Sequence, residues 1–397
     1  MRFPIEYYQM KQITKHYMPH LRQSQLKGLA LWVYGTILAG SGCQNAVAAE
    51  LSFMGSFNTV RQYLREWLYD GRDRSNPCRV QLDVTLSFVP LLRWLLELWE
   101  SDRLVVAIDP TMKGEQINAI VISVVYRSCA IPVAWHILPA NTPGRWMEPI
   151  VDMLGILAEA VPKQMTVLVM CDRGLRSPRL WDGIRRVGWH PYVRQSINTV
   201  FCPDGGTRLP ARYLVPGPGH AWVGGGTAFR DRSKRRRGTM IVVWDIGQEA
   251  PWVVMIDLAP AEAGVCWYML RFWIELGFRM LKSVGWQWQN TRRTDPQRVS
   301  RHWLAMSVAT LWTLAYGTRV EDANDLGVEP GRLRSPPKLL APTHRSAPRR
   351  TVSVLRLGAS WLRRLMYRGR LWRRVWLLPE PWPNPPPNMK LIYHADT

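Results

Sequence analysis

The chain has 397 residues, of which 47% are hydrophobic, so it is long enough for a large core and for two or three domains. Lys and Arg number 52 against 30 Asp and Glu, and the formal net charge of +22 favours a polyanionic partner. No apolar run approaches the roughly 20 residues of a membrane helix, so the predicted partner is nucleic acid and not a membrane.

The six cysteines form no Cys-x-x-Cys pair and are accompanied by no His tract, so a zinc site or a disulfide framework is not predicted. Single buried thiols fit a reducing compartment. The first residues lack the continuous apolar core of a secretory signal. We therefore expect a cytoplasmic protein that associates with nucleic acid.

Residues 1–75 predict a helical N-terminal DNA-binding domain, with helices at 21–38, 44–51 and 57–69. Ser56 stands where an N-cap would stand, and a short turn separates the second and third helices. This pattern is typical of a helix-turn-helix, in which Arg61 and Arg65 on the third helix would face DNA. An ordinary helical subdomain with a solvated face explains it equally well.

The next segments alternate between helix and strand. Residues 76–102 predict a linker helix, with a polar linker at 71–77 and a helix at 82–100 bent at Pro90. Residues 103–196 predict strands at 104–108, 117–126, 131–138, 166–170 and 190–195, with helices at 145–161 and 177–187. This order predicts an α/β (α+β) fold, in which an antiparallel meander precedes alternating helices and strands.

A β-rich insertion is predicted at 197–258, with strands at 211–214, 221–223, 240–244 and 252–258 and a basic cluster at 230–237 on a hairpin tip. Residues 259–320 return to helices at 262–283 and 297–316. The C-terminal segment 321–397 is basic and Pro-rich, with a helix at 352–374 and an extended stretch at 379–387. That helix is expected to dock or dimerise and to touch DNA; a disordered, solubilising arm is the alternative.

Three carboxylates are candidates for catalysis and for metal binding. Asp109 and Asp172 each close an apolar strand, and Glu275 lies on a later helix. Alone, an Asp at a strand end is often only a turn former or a helix cap. Phosphodiester chemistry with two Mg²⁺ ions needs about three carboxylates in a small space, and these hard oxygen ligands make Cys and His unnecessary.

Four side chains recur at helical spacing near Glu275. Tyr268, Arg271, Glu275 and Lys282 are separated by three, four and seven residues, which places them near one face of a helix. A solvated face with an ion pair would give the same spacing. The order Tyr-x2-Arg-x3-Glu-x6-Lys, however, resembles the signature of bacterial insertion-sequence transposases of the DDE type.

The resemblance extends over residues 104–283. Asp109-Pro-Thr and Asp172-Arg-Gly are similar to the segments around the first two acids of these transposases, although Leu175 stands where an aromatic residue is often found. It implies an RNase H-like catalytic core interrupted by the insertion. It also implies two Mg²⁺ ions per active site, with Mn²⁺ as a substitute, and a homodimer in a synaptic complex.

The implied activity is cut-and-paste transposition. Such an enzyme binds double-stranded DNA at terminal inverted repeats, cleaves it, and joins the 3′-hydroxyl end to target DNA. By position, Tyr268 and Arg271 would hold a phosphate and Lys282 would contact DNA, with Arg279 lining the same groove. A base flipped from the duplex would rest on Trp244 or Trp252, with Trp222 as a third option, although a strand Trp is more often a core residue.

Two other classes of protein remain as alternatives. One is a catalytically inactive DNA-binding or architectural protein derived from a transposase, against which the presence of all three acids argues. The other is a different RNase H-like nuclease, against which the Tyr-Arg-Glu-Lys order and the basic insertion argue.

Overall fold

The fold is organised around one large mixed β-sheet. A computed structural model of the chain describes residues 3–69, 81–140, 142, 144, 146–337 and 350–394; the predicted linker at 71–77 lies outside this described part. The strands are β1 (Arg103–Lys113), β2 (Ile117–Tyr126), β3 (Cys129–Pro139), β4 (Thr166–Cys171), β5 (His190–Arg194), β6 (Val200–Pro203), β7 (Leu209–Pro210), β8 (His220–Ala228), β9 (Arg236–Trp244), β10 (Trp252–Ile256) and β11 (Lys390–His394).

The strand order places the ends of β1 and β4 side by side. The sheet runs β3-β2-β1-β4-β5-β10-β9-β8-β6-β7, and β11 also pairs with β8. β1 is antiparallel to β2 and parallel to β4, and the last β1–β4 pair joins Ile108 to Cys171. Asp109 and Asp172 therefore each follow one member of this last residue pair, at the same end of the two strands. This mixed α+β architecture is consistent with the predicted RNase H-like core.

The predicted insertion continues the central sheet. β10 is antiparallel to β5, so the strands of 197–258 extend the core directly. The predicted strand at 211–214 is wrong, because Ala211–Leu214 is a 3₁₀ helix. Pro210 ends β7, since proline has no N–H for a strand ladder, and the N–H groups of Ala211 and Arg212 then donate to loop carbonyls.

Ten α-helices lie within the described ranges, and some of them pack on the sheet while others pack on helices. They are α1 (Ile5–Tyr17), α2 (Gln23–Ala39), α3 (Gln44–Glu50), α4 (Phe57–Leu68), α5 (Phe88–Glu97), α6 (Met147–Ala158), α7 (Pro178–Arg186), α8 (Phe272–Arg279), α9 (Pro296–Asp325) and α10 (Val354–Tyr367). Ser56 caps α4 as predicted, because its hydroxyl accepts from the Thr59 N–H. In none of the described ranges does a helix combine the length and apolarity needed to cross a bilayer.

Two predicted helices have different bounds in the structure. The helix predicted at 82–100 begins only at Phe88, after a 3₁₀ turn, so Pro90 lies in its first turn. Proline is tolerated there, because a first-turn N–H has no partner within the helix, and the predicted bend is wrong.

The segment predicted as one helix at 262–283 is divided into three pieces. Trp267–Arg271 is a 3₁₀ helix, α8 follows directly, and Met280–Val284 is a π-helical turn. The Met280 carbonyl accepts from the N–H groups of both Gly285 and Trp286, which widens this last turn.

The basic C-terminal helix α10 is part of the core. It packs along α9, which is buried over most of its length, and Leu355 and Leu362 of α10 are buried. The two helices approach at paired glycines. A Cβ on Gly358 would lie 1.8 Å from the Thr313 carbonyl oxygen, and a Cβ on Gly317 would lie 2.0 Å from the Val354 oxygen. α10 is therefore docked on α9, in line with the expectation that this basic helix docks or dimerises.

Ion pairs bind the C-terminal segment to the end of α9. Arg127, in the β2–β3 turn, contacts Glu321 at 2.6 Å and Asp322 at 2.8 Å. Arg350 also pairs with Glu321, and the Trp376 indole N–H donates to Asp322. Beyond this anchor, β11 pairs with β8 in parallel, so the tail completes the sheet.

Replacing Gly358 with alanine tests the close approach of α9 and α10. Gly358→Ala should lower the free energy of unfolding by about 1–3 kcal/mol, because backbone atoms block the added methyl group. Gly155→Ala is the matched control: Gly155 lies exposed in α6 with no atom near the added Cβ, so it should stabilise by about 0.5–1 kcal/mol. Urea titration measures both; equal effects would contradict the packing.

Buried His302 predicts a pH dependence of stability. Its ring packs against that of Trp32 at a tilt, with 4.8 Å between the centroids, and burial holds its pKa well below the ordinary value. The unfolded chain protonates this ring near pH 6.5, so stability is full above that pH and falls below it by up to about 1.4 kcal/mol per pH unit. Urea titrations between pH 7 and 5 should show a shallower fall for His302→Gln; parallel curves would refute the assignment.

Candidate active site

Two of the three acids meet where the β1–β4 pairing ends. Asp109 was predicted to close its strand, but β1 continues beside β2, with Asp109 opposite Val121, and ends only at Lys113. The pairing with β4 nevertheless stops at Ile108, immediately before this residue. Asp172 follows β4 at the same level. The parallel register therefore sets the two carboxylates next to one another.

Arg271 joins the first acid to the third. Its Nη1 atom lies 3.2 Å from Asp109 Oδ2, and its Nη2 atom donates to Glu275 Oε1 at 2.7 Å. The Arg271 side chain is only 5% exposed, whereas that of Glu275 is 52% exposed. The ion pair that the alternative of a solvated face would contain therefore forms, but its Arg271 side chain is buried beside Asp109.

The electrostatics of Asp109 reflect all three acids. Burial is the largest effect and raises the pKa of its carboxyl group to about 6. The charges of Asp172 and Glu275 raise this pKa further, while Arg271 opposes them. The geometry agrees, because Asp109 and Glu275 contact the same guanidinium and Asp172 follows the strand paired with β1.

Asp172 has an oxygen with no hydrogen-bond partner. Its Oδ1 atom is buried and accepts no hydrogen bond from the described residues, and Arg194 approaches it only to 3.6 Å. The Arg194 guanidinium also lies over the ring of Trp252, 5.3 Å from its centroid. The sequence prediction missed Arg194; its position at the end of β5, the neighbour of β4, was the available signal.

The three acids fit a magnesium ion by chemistry. Mg²⁺ prefers carboxylate oxygens, and the unpartnered Asp172 Oδ1 is an oxygen that a cation would satisfy. Among the described residues, no group of three or more His, Cys, Asp and Glu is arranged to hold a metal. In this conformation the cation between Asp109 and Glu275 is the guanidinium of Arg271.

Tyr268 was predicted to contact a phosphate, but the structure buries it. The side chain is 2% exposed, and its hydroxyl donates to the Cys171 carbonyl at 3.1 Å. The ring also packs against Tyr192 and Trp252. In a 3₁₀ helix, residues i and i+3 are aligned, so Tyr268 turns inward together with Arg271. In this conformation Tyr268 ties the helix to the end of β4, beside Asp172.

Two predicted DNA contacts follow Glu275 along the chain. Arg279 is exposed at the end of α8, and Lys282 is half-buried in the π-helical turn. Burial lowers the pKa of Lys282. Within the described part of the chain neither cation has an ion-pair partner, so both are available to a phosphate.

Arg61 and Arg65 lie on α4, which packs against α2, α3 and α9 and not within the acidic site. The buried face of α4 consists of Val60, Leu64, Trp67 and Leu68. Arg65 is exposed and donates to the Tyr69 hydroxyl at 2.6 Å, while Arg61 is half-buried. A 3₁₀ turn at Ser52–Met54 separates α3 from α4, as a helix-turn-helix requires.

Of the three candidate tryptophans, Trp252 lies at the site. It contacts Phe272 at 5.2 Å as well as Tyr268. Trp222 is 5% exposed and packs against Phe201, so it is a core residue. Trp244 follows Val243, the partner of Trp252, and therefore points to the opposite face of the sheet.

Comparison with known proteins supports the transposase class. The profile of the family described as "Transposase DDE domain" matches residues 149–312, which is less than half of the chain. The match includes Asp172 and Glu275 and begins after Asp109. It supports a DDE transposase of an insertion sequence, whereas the Tyr-Arg-Glu-Lys subgroup stays a prediction. No curated protein matches the chain.

The Tyr268→Phe variant tests the role of the buried hydroxyl. It removes only the hydrogen bond to the Cys171 carbonyl, so we expect a loss of about 1 kcal/mol of stability in urea titration. DNA affinity, measured by fluorescence anisotropy over a range of salt concentrations, should be unchanged. Weaker DNA binding with unchanged stability would instead favour the phosphate contact that the sequence predicted.

Proposed function

We propose that this chain is a cut-and-paste DNA transposase. It binds double-stranded DNA at transposon ends, cleaves the phosphodiester bond, and joins the 3′-hydroxyl end to target DNA. The observation that carries this proposal is the contact of Asp109 and Glu275 with one buried arginine, Arg271, beside Asp172 at the end of the β1–β4 pairing. The match to the DDE domain family supports the same class.

Asp109, Asp172 and Glu275 would hold the divalent metal, Mg²⁺ or Mn²⁺. Bound there, a pair of such ions activates the attacking oxygen and stabilises charge on the leaving oxygen. The protein's own contribution is position: two acids follow one rigid β-pair, while the third stands on α8. No Ser or Tyr nucleophile is required, because in-line displacement at phosphorus forms no covalent intermediate.

Arg271 has two roles under this proposal. Without DNA, it neutralises Asp109 and Glu275 and keeps three close carboxylates from repelling one another. With DNA, its planar fork can hold a phosphate through two parallel hydrogen bonds. Tyr268 positions Arg271 for both roles, since the two side chains are aligned on the 3₁₀ helix.

DNA contacts are proposed on both sides of the acids. Arg279 and Lys282 would bind phosphates near the cleaved bond, and Trp252 beside Arg194 would support an unstacked base. Arg61 and Arg65 on α4 would contact the terminal repeat. The net charge of +22 predicts that affinity falls steeply as salt rises. Two copies would pair the two ends as a homodimer.

One observation favours a second candidate function. The pairing of Arg271 with Asp109 and Glu275 resembles a structural ion-pair network, so the chain would suit a DNA-binding protein without catalysis. Such a protein would bind DNA equally well after loss of any of the acids. A different RNase H-like nuclease would cut DNA but would not join the 3′-end to a plasmid.

Substitution of Glu275 separates these functions. With labelled transposon-end DNA and Mg²⁺, Glu275→Gln should reduce cleavage at least about a hundredfold, because it removes a carboxylate ligand and keeps the shape. DNA affinity should stay within about twofold of the parent. Glu262→Gln is the matched control, since Glu262 is an exposed glutamate in the turn before the same segment.

Equal cleavage by Glu275→Gln and the parent would refute the catalytic assignment. Binding without nicking by the parent under Mg²⁺ or Mn²⁺ would establish the second candidate. Cleavage without joining to plasmid DNA would identify a nuclease.

A further inference from the structure

A cavity of about 540 Å³ opens near the ends of β4 and β5. Its walls come from residues 176–178, which follow Asp172, and residues 195–200, which follow β5. Trp181 of α7 and Val193 of β5 line it, whereas Tyr192 faces Tyr268. Because side chains alternate along a strand, this cavity lies opposite the face that carries Trp252. Open α/β sheets commonly bind ligands beyond such strand ends.

Aromatic and aliphatic side chains form the floor of the cavity. Trp181, Val193, Phe229 and Met255 line it. Phe229 has φ of 74°, a left-handed conformation that a bulky residue adopts only under constraint, and its N–H donates to the Val200 carbonyl. Strain of this kind concentrates at functional sites, and here it holds an aromatic ring at the cavity.

Three residues of the wall carry polar atoms without partners. Gln195 Oε1, Thr199 Oγ1 and Trp181 Nε1 are buried and have no hydrogen-bond partner among the described residues. These side chains are 4–6% exposed. Buried polar groups are normally satisfied, so these three atoms are the ones in the wall with hydrogen-bonding capacity left for a ligand. An acceptor, a hydroxyl and an N–H donor match the mixed donors and acceptors of a nucleobase edge.

The mouth of the cavity is basic. Arg176, Arg230 and Lys234 line it, and the latter two belong to the basic cluster at 230–237. Lys234 pairs with Asp231 at 3.3 Å, but the guanidinium groups of Arg176 and Arg230 have no ion-pair partner in the described ranges. Arg236 also lines the cavity, but its guanidinium is paired with Asp182 at 2.6 Å. A phosphate at the mouth would meet two free guanidinium groups.

We propose that this cavity binds one nucleotide unit, with the base against Trp181 and Phe229 and the phosphate at Arg176 and Arg230. The volume suits a ligand of this size, and aromatic walls with a basic mouth match a base and its phosphate. The inference deepens the proposed DNA function, on which it rests for a nucleotide of the DNA strand, but it does not depend on catalysis. A free nucleotide has the same chemistry.

Binding is measured in EDTA, so that cleavage plays no part. The probes are free dAMP, free deoxyadenosine, a short fully paired duplex, and the same duplex with one unpaired nucleotide. The parent should bind the duplex with the unpaired nucleotide more tightly than the paired one, or should bind free dAMP. The first result identifies DNA as the source of the nucleotide and the second a free nucleotide.

Variants that lack the buried polar atoms of the cavity wall test whether these atoms contact the nucleotide. Thr199→Val and Gln195→Leu should each weaken binding of the favoured probe by about fivefold to tenfold and leave the paired duplex unaffected. Thr36→Val is the matched control, because Thr36 also has a buried hydroxyl without a described partner, on α2. It should leave every affinity unchanged. Thermal unfolding confirms that each variant folds.

The basic mouth is tested separately. Arg230→Gln should weaken dAMP more than deoxyadenosine, which lacks the phosphate. Arg232→Gln is its control, since Arg232 is exposed on the same turn and does not line the cavity.

The inference is overturned if Thr199→Val and Gln195→Leu fold and bind every probe like the parent, or if the parent binds neither dAMP nor the unpaired nucleotide. Failure of the proposed function is a different result, namely no affinity of the parent for paired DNA and no cleavage with Mg²⁺.

Discussion

The buried guanidinium of Arg271 is the interaction on which the candidate site depends. Three carboxylates that share one partly buried space repel one another, and burial disfavours their charged forms. Arg271 contacts two of them, and the pKa of Asp109 remains raised to about 6 even so. A buried charge of this kind is stable only when paired on several sides, so the acids and the arginine hold each other in place.

Much of this arrangement was predictable because it depends on local patterns. Apolar runs predicted the strands that lead to Asp109 and Asp172, and the spacing of Arg271 and Glu275 predicted that the two side chains lie near one face. The burial of Tyr268 was not predictable in this way. Spacing of three residues fits both an α-helix and a 3₁₀ helix, and only packing against Tyr192 and Trp252 selects the tighter form.

Long-range pairing explains the other differences. Asp109-Pro110 is typical of a strand end, yet β2 continues to pair beside it, so β1 extends to Lys113. The C-terminal helix was expected to dock or dimerise, but its partner α9 was not predicted; Gly317 and Gly358 let α10 approach α9 closely. Such contacts join residues far apart in sequence, and no periodicity within either segment indicates them.

The register of β1 and β4 links the two faces of the sheet. Cys171 pairs with Ile108, its carbonyl accepts from Tyr268 on one face, and the chain after Asp172 forms the cavity wall on the other. A shift of one residue in this pairing would exchange the faces of the side chains. It would separate Asp109 from Asp172 and move Arg176 away from the cavity, so the acids and the proposed nucleotide site depend on the same pair of strands.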